Sequence, residues 1–360
     1  MDLLEHARSI INEVDEEMAQ LFVRRMKAAE MVAQYKKEHG LPVLDAVREE
    51  IVLRRGAERV QSEELRAYYV NFIRNNMAIS RAYQHRLLEG MRVAYCGTEG
   101  AFAHIATGKL FPSAERVAYG DFVSAYRAVE AGDCDAAVLP VENSYNGEVG
   151  QVTDLMFSGS LYVNAMLDLA VSHDLLVVPG TAREQIKTIL SHPQALGQCA
   201  GYIRKYGWQT QEYTNTALAA KYVAEIHDPS IAAIASEEAA GVFGLEVMER
   251  NINASRSNTT RFAVFSRAED TNSARKGETF VLVFTVKNEA GSLARAIDVI
   301  GQHGFNMRTL RSRPMKELLW QYYFYVEAEG NVHTENGRDM MRELEKFCDR
   351  LKLVGTYAGV

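Results

Sequence analysis

The chain has 360 residues, enough for two or three domains of ordinary size. An apolar content of 47%, a charged content of 24% and a net charge of -7 are typical of a globular protein and argue against nucleic acid or an anionic membrane as a partner. The longest apolar runs are too short to span a bilayer. The first residues lack the basic and apolar regions of a signal peptide, and four scattered cysteines indicate reduced thiols, so we expect a cytoplasmic protein without a metal site.

Residues 1–89 have apolar residues at helical spacing and are poor in glycine and proline. The pattern predicts one long helix to about Glu38, followed by a break at residues 39–42. A second helix is expected from Asp45, and a third after Ser62, which suits an N-cap. Three such helices predict a bundle or a helical dimer.

Charged residues in the long helix are spaced so that some can act together. Arg25 and Lys36 lie roughly 20° apart around the helix axis and about 16 Å apart along it, so both can reach one small anion. Arg8 lies about 42 Å from Lys36 along a straight helix and can serve only a neighbouring subunit's site. From spacing alone, a solvated charged face is the simpler interpretation.

Further polar residues share helical faces, Asp45 with Arg48 and Glu49, and Ser80 with Gln84. With them the segment resembles the all-helical chorismate mutase family that is fused at the front of bacterial P-proteins. The family's residue types occur at eight active-site positions: Arg8, Arg25, Lys36, Asp45, Arg48, Glu49, Ser80 and Gln84. The resemblance implies an intertwined dimer in which Arg8 comes from the partner.

That resemblance implies a rearrangement of chorismate to prephenate without a nucleophile or a cofactor. The enzyme has to hold the reactive conformer and stabilise charge developing on the breaking ether oxygen. The implied roles are carboxylate binding by Arg8 and Arg25 with Ser80, donation to the ether oxygen by Lys36 and Gln84, and positioning of the ring hydroxyl by Asp45, Arg48 and Glu49.

Residues 91–267 alternate between strand and helix patterns, which predicts an α/β fold with a mainly parallel sheet. Polar clusters end predicted strands at 142–144, 191–194 and 257–262, where ligand sites of such folds lie. His192 precedes a proline at a helix start, so we interpret it as a cap rather than a general base. Glu142 is either an acid or an ion-pair partner.

These clusters make residues 91–267 resemble prephenate dehydratase, a two-lobed domain like the type II periplasmic binding proteins. The expected lobes are 91–168 plus 245–267, and 169–244. The matching motifs are residues 140–144, 191–194 and 258–262, the last with the Thr-Arg-Phe signature. The loop 97–103 lacks the family's two hydroxyls, so we expect it to contribute shape. The implied prephenate-binding residues are Asn143, Ser191, Gln198, Thr260, Arg261 and Phe262.

Dehydration of prephenate expels carbon dioxide and hydroxide and forms an aromatic ring. Since a threonine hydroxyl is a poor acid, Thr260 is expected to donate a hydrogen bond to the departing hydroxyl, polarised by the neighbouring Arg261.

A polar linker at 268–277 leads into residues 278–360, where the order βαββαβ, with a last helix at 335–348, is ferredoxin-like. This segment resembles the ACT domain that binds phenylalanine, and Arg311 replaces an acidic residue of the family motif. A dimerisation module without a ligand is the alternative. The implied phenylalanine site consists of Gly291, Ser292, Leu293, Ala294, Ser312, Arg313 and Pro314.

Together the resemblances imply a multidomain enzyme of phenylalanine biosynthesis that needs no cofactor and converts chorismate to prephenate and then to phenylpyruvate. They also imply feedback by L-phenylalanine and a homo-oligomer, either a dimer or a tetramer. A solute-binding protein, or an ACT sensor with inactive catalytic domains, is the alternative, and arogenate is an alternative substrate of the dehydratase.

Overall fold

A computed structural model describes residues 2–254, 258–270, 278–315 and 320–358. The chain divides into two compact units, Met1–Arg92 and Val93–Val360. Ser257 and most of the predicted linker, residues 271–277, lie outside the described residues. Within the described ranges, no helix combines the length and apolar character needed to cross a membrane.

The first unit consists of three helices, and the predicted end of the first and the predicted starts of the second and third are confirmed. The helices are α1 (Leu3–Glu38), α2 (Ala46–Arg59) and α3 (Glu63–Glu89). The carboxylate of Asp45 accepts from the Arg48 amide at the start of α2, and the hydroxyl of Ser62 accepts from the Leu65 amide at the start of α3. Both caps satisfy amides that a helix start leaves without partners.

Helix α1 leaves most of its apolar side chains exposed. The only residues it buries are Ala29 and Ala33, both in its second half. Its exposed apolar residues include Leu3, Leu4, Ile10, Ile11, Val14, Met18 and Leu21. The first unit alone therefore does not cover the apolar face that the helical spacing produces.

The second unit contains three sheets. Its strands in chain order are β1 (Arg92–Cys96), β2 (Glu115–Tyr119), β3 (Ala136–Asn143), β4 (Gly147–Glu148), β5 (Tyr162–Ala170), β6 (Asp174–Val177), β7 (Thr188–Ser191), β8 (Gln209–Glu212), β9 (Ile231–Ala235), β10 (Glu246–Glu249), β11 (Thr259–Ser266), β12 (Thr279–Val286), β13 (Asn306–Pro314), β14 (Tyr322–Glu329) and β15 (Cys348–Tyr357). Its helices are α4 (Phe102–Leu110), α5 (Phe122–Ala131), α6 (Gly150–Ser158), α7 (Pro193–Gln198), α8 (Ala200–Tyr206), α9 (Thr216–Ile226), α10 (Glu237–Phe243), α11 (Ser292–Gln302) and α12 (Glu335–Leu344). Helices α7 and α8 are separated at Cys199.

The first sheet has the order β2-β1-β3-β11-β5, with β4 paired to β3. Strand β1 runs parallel to β3, whereas β11 is antiparallel to both of its neighbours. The second sheet, β10-β6-β9-β7-β8, also mixes both directions. The expected mainly parallel sheet is therefore wrong, because β11 returns from the second lobe and inserts between β3 and β5.

The lobe boundary also differs from the expectation. Strand β10 pairs antiparallel with β6, with Glu246 opposite Val177 and Val247 opposite Leu176. Residues 246–249 therefore belong to the second sheet, although 245–267 was assigned to the first lobe. The partner strand of β10 is β6 of the second lobe, and local periodicity does not predict which strand a short strand pairs with.

The third sheet has the order β13-β14-β12-β15, and its paired strands are antiparallel. One face packs with α11 and α12 in a separate core. The other face shares a core with the first lobe, in which Val281, Tyr325 and Val354 lie with Val163 and Phe265. The last helix ends at Leu344 rather than at Cys348, because residues from Cys348 onward pair with β12.

Candidate active sites

A cavity of about 430 Å³ lies among the three helices of the first unit. Four residues predicted for chorismate line it, namely Arg25, Arg48, Ser80 and Gln84. Its remaining lining residues are Ala28, Ala29, Val32, Val52, Arg55 and Arg59. Four arginines around one small cavity suit a ligand with several carboxylate oxygens.

Arg25 is held in place inside this cavity. Its Nη1 donates to the Ser80 hydroxyl and, at 3.2 Å, to the Asn76 carbonyl oxygen. Burial lowers the pKa of the Arg25 guanidinium, which nonetheless remains a cation at neutral pH. Gln84 is only 8% exposed, and its Oε1 atom has no hydrogen-bond partner among the described residues. A buried amide oxygen without a partner at a cavity is a natural contact for a ligand.

The other predicted chorismate residues do not line this cavity. Lys36 donates to the Val43 carbonyl oxygen at 2.5 Å, and Glu49 forms an ion pair with Arg81. Asp45 caps α2, and Arg8 is exposed in the first turns of α1. The structure of one chain therefore brings together half of the predicted set.

Sequence reasoning missed Arg55, Arg59 and Arg81. Arg55 and Arg59 follow Arg48 by seven and eleven residues, which returns to one face of a helix. That spacing was a usable signal for the first two. Arg81 had no such signal, because its ion pair with Glu49 joins two different helices.

A polar network lies where β3 and β11 run side by side. Thr260 pairs with Asn143 in the register of these strands. The Asn143 Nδ2 donates to Thr260 Oγ1 at 2.9 Å and to Asn258 Oδ1 at 2.8 Å. The Asn143 Oδ1 accepts from the backbone amides of Tyr145 and Asn146, each at 3.0 Å. The Asn143 side chain is thereby oriented from both ends.

The network continues into the second lobe. Asn258 Nδ2 donates to Gln198 Oε1 at 3.0 Å, and the same oxygen lies 2.9 Å from His173 Nε2. Because an amide oxygen only accepts, the geometry assigns the proton to His173 Nε2. Burial lowers the pKa of His173 and keeps the imidazole neutral. Of the predicted prephenate residues, Asn143, Gln198 and Thr260 meet here, together with Asn258 and the unpredicted His173.

Two atoms of this network have no protein partner among the described residues. They are His173 Nδ1, an acceptor, and Gln198 Nε2, a donor, and both are buried. Buried polar atoms are normally paired, so these two mark where a polar ligand fits the network. The ring of Phe102 lies edge-on to His173, with centroids 5.8 Å apart, and gives the region an apolar wall.

Arg261 lies on the opposite face of β11 from the Thr260 hydroxyl. Its Nε donates to Asp168 Oδ1 at 2.8 Å, and its Nη1 lies 3.6 Å from Glu327 Oε2 on β14. The hydrogen bond with Asp168 raises the pKa of Arg261. Consecutive side chains of a strand face opposite sides, so Arg261 does not polarise Thr260, and this prediction is wrong.

Two further predicted prephenate residues are buried away from the network. Ser191 is fully buried, and its hydroxyl donates to the Ile234 carbonyl oxygen at 2.6 Å. Phe262 is 3% exposed on β11. Neither joins the polar network, because each side chain is already occupied by packing or by a backbone partner. His192 caps α7 by accepting from the Gln194 amide, as predicted, and Glu142 is an ion-pair partner of Arg311.

The predicted effector residues lie on two separate parts of the third sheet region. Gly291 takes a positive φ of 82° before α11, and Leu293 lines a cavity of about 510 Å³ with residues 285–289, Trp320 and Tyr322. Ser292 is buried, whereas Ala294 and Ser312 are exposed. Arg313 binds Asp154, and Pro314 lines a second cavity of about 530 Å³. One chain does not bring the two halves of this set into one cavity.

A cationic cavity in a helical unit and a separate polar network in an α/β unit define an enzyme with two sites for small carboxylates. The family model described as "Chorismate mutase type II" matches residues 7–85, and the family model described as "Prephenate dehydratase" matches residues 93–270. The bifunctional chorismate mutase/prephenate dehydratase of Enterobacter agglomerans is 30% identical over 97% of this chain and 94% of its own. The chain belongs to the family of bifunctional chorismate mutase/prephenate dehydratases and carries both activities.

Two solved structures resemble most of this chain. The prephenate dehydratase of Arthrobacter aurescens in complex with L-Phe has a TM-score of 0.69 and 25% identity, covering 74% of this chain and 90% of that one. GqqA, described as a quorum quenching acylase, has a TM-score of 0.69 and 28% identity, covering 75% of this chain and 98% of that one. The likeness shows that this fold is shared by proteins of more than one described activity.

Proposed function

We propose that the two reactions occur at the two sites described above, with residues 1–89 as the mutase domain and residues 91–267 as the dehydratase domain. Residues 278–360 form a ferredoxin-like ACT regulatory domain. The dehydratase domain has two lobes, an arrangement like that of type II periplasmic binding proteins. The order βαββαβ and the antiparallel third sheet support the regulatory assignment.

In the mutase domain, the arginine-lined cavity binds the chorismate dianion. Arg25 binds a carboxylate, with Ser80 holding Arg25 in place. The Gln84 amide and Lys36 donate to the ether oxygen as charge develops on it, while Asp45, Arg48 and Glu49 position the ring hydroxyl and one another. The observation that carries this proposal is the ring of four arginines around a small cavity that the buried Gln84 also lines.

The mutase site is completed by a second copy of the chain. Arg8 is exposed and does not line the cavity, and the apolar face of α1 between Leu3 and Leu21 is uncovered. A neighbouring α1 packed along that face buries it and brings its own Arg8 to the cavity. We therefore propose a homodimer, or a tetramer built from such dimers, in which the mutase sites are shared.

In the dehydratase domain, Thr260 donates a hydrogen bond to the hydroxyl that leaves prephenate. Because Asn143 Nδ2 already donates to Thr260 Oγ1, the threonine hydrogen is free to point toward a ligand. The bond to the departing carboxylate carbon breaks, its electron pair enters the ring, and the hydroxyl leaves as the ring becomes aromatic. Gln198 Nε2 and His173 Nδ1 are the remaining free contacts for substrate oxygen or hydroxyl groups.

The test follows chorismate to prephenate and phenylpyruvate in one spectroscopic assay. Thr260→Ala is expected to abolish dehydration and leave the rearrangement intact, whereas Thr260→Ser keeps the hydroxyl and retains dehydration. Loss of both activities in Thr260→Ala contradicts a two-site enzyme. The same assay with arogenate tests the alternative substrate of the dehydratase.

Feedback by L-phenylalanine is proposed for the third sheet region. The Arthrobacter relative is described in complex with L-Phe, and Leu293 lines a cavity with aromatic side chains in this chain. The proposed contacts are Gly291, Ser292, Leu293, Ala294, Ser312, Arg313 and Pro314. Since one chain separates these residues, the complete site forms between two copies. Phenylalanine titration with a dehydratase readout tests this, and binding without inhibition favours a dimerisation module.

A cytoplasmic location is proposed for the enzyme. None of its four cysteines, Cys96, Cys134, Cys199 and Cys348, forms a disulfide among the described residues, which suits a reducing compartment.

A further inference from the structure

We propose that Arg311 is a positioning residue for dehydration: through its ion pair with Glu142 it holds the end of β3, where Asn143 binds Thr260. The proposal rests on the function proposed above for Thr260 and Asn143. It makes the third sheet, called the C-terminal sheet below, a support of the dehydratase site, although none of that sheet's described residues contacts the polar network directly.

Two neighbouring residue pairs of β3 and β11 define this support. Thr260 lies opposite Asn143, and the next pair along the strands is Arg261 opposite Glu142. Because side chains alternate along a strand, the two pairs face opposite sides of the sheet. The first pair faces the polar network, and the second faces the C-terminal sheet.

Each residue of the second pair binds a charged partner on that C-terminal sheet. Arg311 on β13 binds Glu142, with 2.5 Å between Nη2 and Oε1. Arg261 lies 3.6 Å from Glu327 on β14. The side chains of Arg311 and Glu142 are 24% and 31% exposed, so solvent screens their attraction only in part. The Arg311 guanidinium also lies over the Tyr325 ring, 5.9 Å from its centroid.

Glu327 is well anchored on its own sheet. Its side chain is 3% exposed. The Tyr325 hydroxyl donates to its Oε1 at 2.5 Å, and the Tyr357 hydroxyl donates to its Oε2 at 3.3 Å. Tyr325 therefore contacts one residue of each ion pair, since its ring lies under Arg311 and its hydroxyl binds Glu327. Through this shared contact, the Arg311–Glu142 and Arg261–Glu327 pairs form one cluster rather than two isolated ion pairs.

The strand ladder is irregular at this point. The pairing of β11 with β3 shifts register between Arg261 and Phe262, directly after the Arg261–Glu142 pair and one pair from Thr260. A register shift interrupts the backbone hydrogen bonds that would otherwise set the distance between the strands. The ion pairs of Glu142 and Arg261 with the C-terminal sheet then help to fix the positions of Asn143 and Thr260.

The experiment compares three variants in the full-length chain, with dehydratase and mutase rates measured on the same samples. Arg311→Glu places a carboxylate against Glu142, and we expect its dehydratase kcat to fall by about 10-fold to 100-fold because small displacements of reacting groups have effects of this size. Arg311→Lys keeps the positive charge and is expected to restore most of the kcat. The mutase rate is expected to stay unchanged in both.

Arg308→Glu is the matched control. Arg308 lies on the same strand and pairs with Glu329, but both side chains are largely exposed, at 57% and 42%, and neither contacts β3. We expect this charge reversal to leave both reactions at wild-type rates.

Wild-type dehydratase kcat in Arg311→Glu overturns the proposal, as does an equal loss in Arg308→Glu or in Arg311→Lys. An unfolding midpoint that drops in Arg311→Glu, with full kcat recovered on cooling, shows a purely structural role and also overturns it. Full dehydratase activity in Thr260→Ala instead refutes the proposed role of Thr260.

Discussion

Asn143 and Thr260 face each other on β3 and β11, and the Asn143 Nδ2 donates to Thr260 Oγ1 at 2.9 Å. The Oδ1 atom of Asn143 accepts hydrogen bonds from two backbone amides of the following turn. One side chain thus orients the threonine hydroxyl and fixes the turn after β3.

Asn143→Asp separates these two roles. A carboxylate still accepts from the amides of Tyr145 and Asn146, but it cannot donate to Thr260 or Asn258. We expect dehydratase kcat to fall by roughly 100-fold or more, the effect typical of a lost positioned donor, and stability to fall less than in a truncated side chain because the turn amides keep their acceptor. Asn143→Ala should lose the rate and also stability, by about 1–3 kcal/mol, because it leaves the turn amides unpaired. Equal stability in the two variants would contradict this division of roles.

Arg8 and Arg25 are expected to complement each other between subunits. Arg8→Ala and Arg25→Ala are each expected to be inactive as mutases, because both arginines bind the substrate carboxylates. When the two variants are mixed in equal amounts and allowed to exchange subunits, half of the dimers are mixed. Each mixed dimer has one intact site out of two, so about a quarter of the wild-type number of mutase sites is regenerated. The measurement is the mutase rate before and after mixing. A mixture that stays inactive while subunits exchange, as judged by labelled chains, rules out a shared site.

Arg55 is expected to strengthen chorismate binding. It lines the cationic cavity, so removal of its charge in Arg55→Ala should raise the KM for chorismate by about 10-fold, a change typical for one ion pair with a bound anion. Arg54→Ala is the control, because Arg54 neighbours Arg55 on α2 but does not line that cavity. Steady-state kinetics at matched ionic strength give both values. The same KM change in both variants would show that the effect comes from the overall surface charge and not from a contact between Arg55 and chorismate.

His303 should make the stability of the second unit depend on pH. Its ring nitrogens lie 3.0 Å from Glu343 Oε2 and 2.9 Å from Asn336 Oδ1, both acceptors, so the hydrogen bond with Glu343 and that with Asn336 raise the pKa of His303. A pKa raised on folding adds stability that is fully present below the unfolded value of about 6.5 and is lost as pH rises through the raised folded value.

The corresponding measurement is urea unfolding followed by tryptophan fluorescence, because both tryptophans, Trp208 and Trp320, lie in the second unit. The difference in unfolding free energy between wild type and His303→Gln is expected to be larger at about pH 5.5 than at about pH 8.5. A difference that stays constant across this range would show that the imidazolium contributes nothing.

Gly355 should tolerate no side chain. It lies on β15 with a φ of 153°, and an added Cβ would stand 2.1 Å from the Val163 carbonyl oxygen on β5. Gly355→Ala must therefore separate the third sheet from the first lobe, and we expect a loss of stability of about 1–3 kcal/mol, typical of overpacking. Gly301→Ala serves as the control, since nothing lies within 4 Å of its added Cβ. Unchanged unfolding of Gly355→Ala would mean that the two sheets can shift apart freely.

Local sequence patterns determined much of this protein. The helical spacing and the residues Asp45 and Ser62 predicted where α1 ends and where α2 and α3 begin, because caps and periodicity depend only on neighbouring residues. The polar strand ends likewise pointed to Asn143 and Thr260, which the structure brings into contact.

Tertiary structure alone decided which neighbours these residues have. The insertion of β11 between β3 and β5 decides which residues Thr260 and Arg261 meet on these strands, and the pairing of β10 with β6 moves the lobe boundary. The ion pair of Arg311 with Glu142 joins residues 169 positions apart. No local pattern encodes such pairings, because strand register depends on the packing of segments distant in the chain, and a shift of one residue exchanges the two faces of a strand.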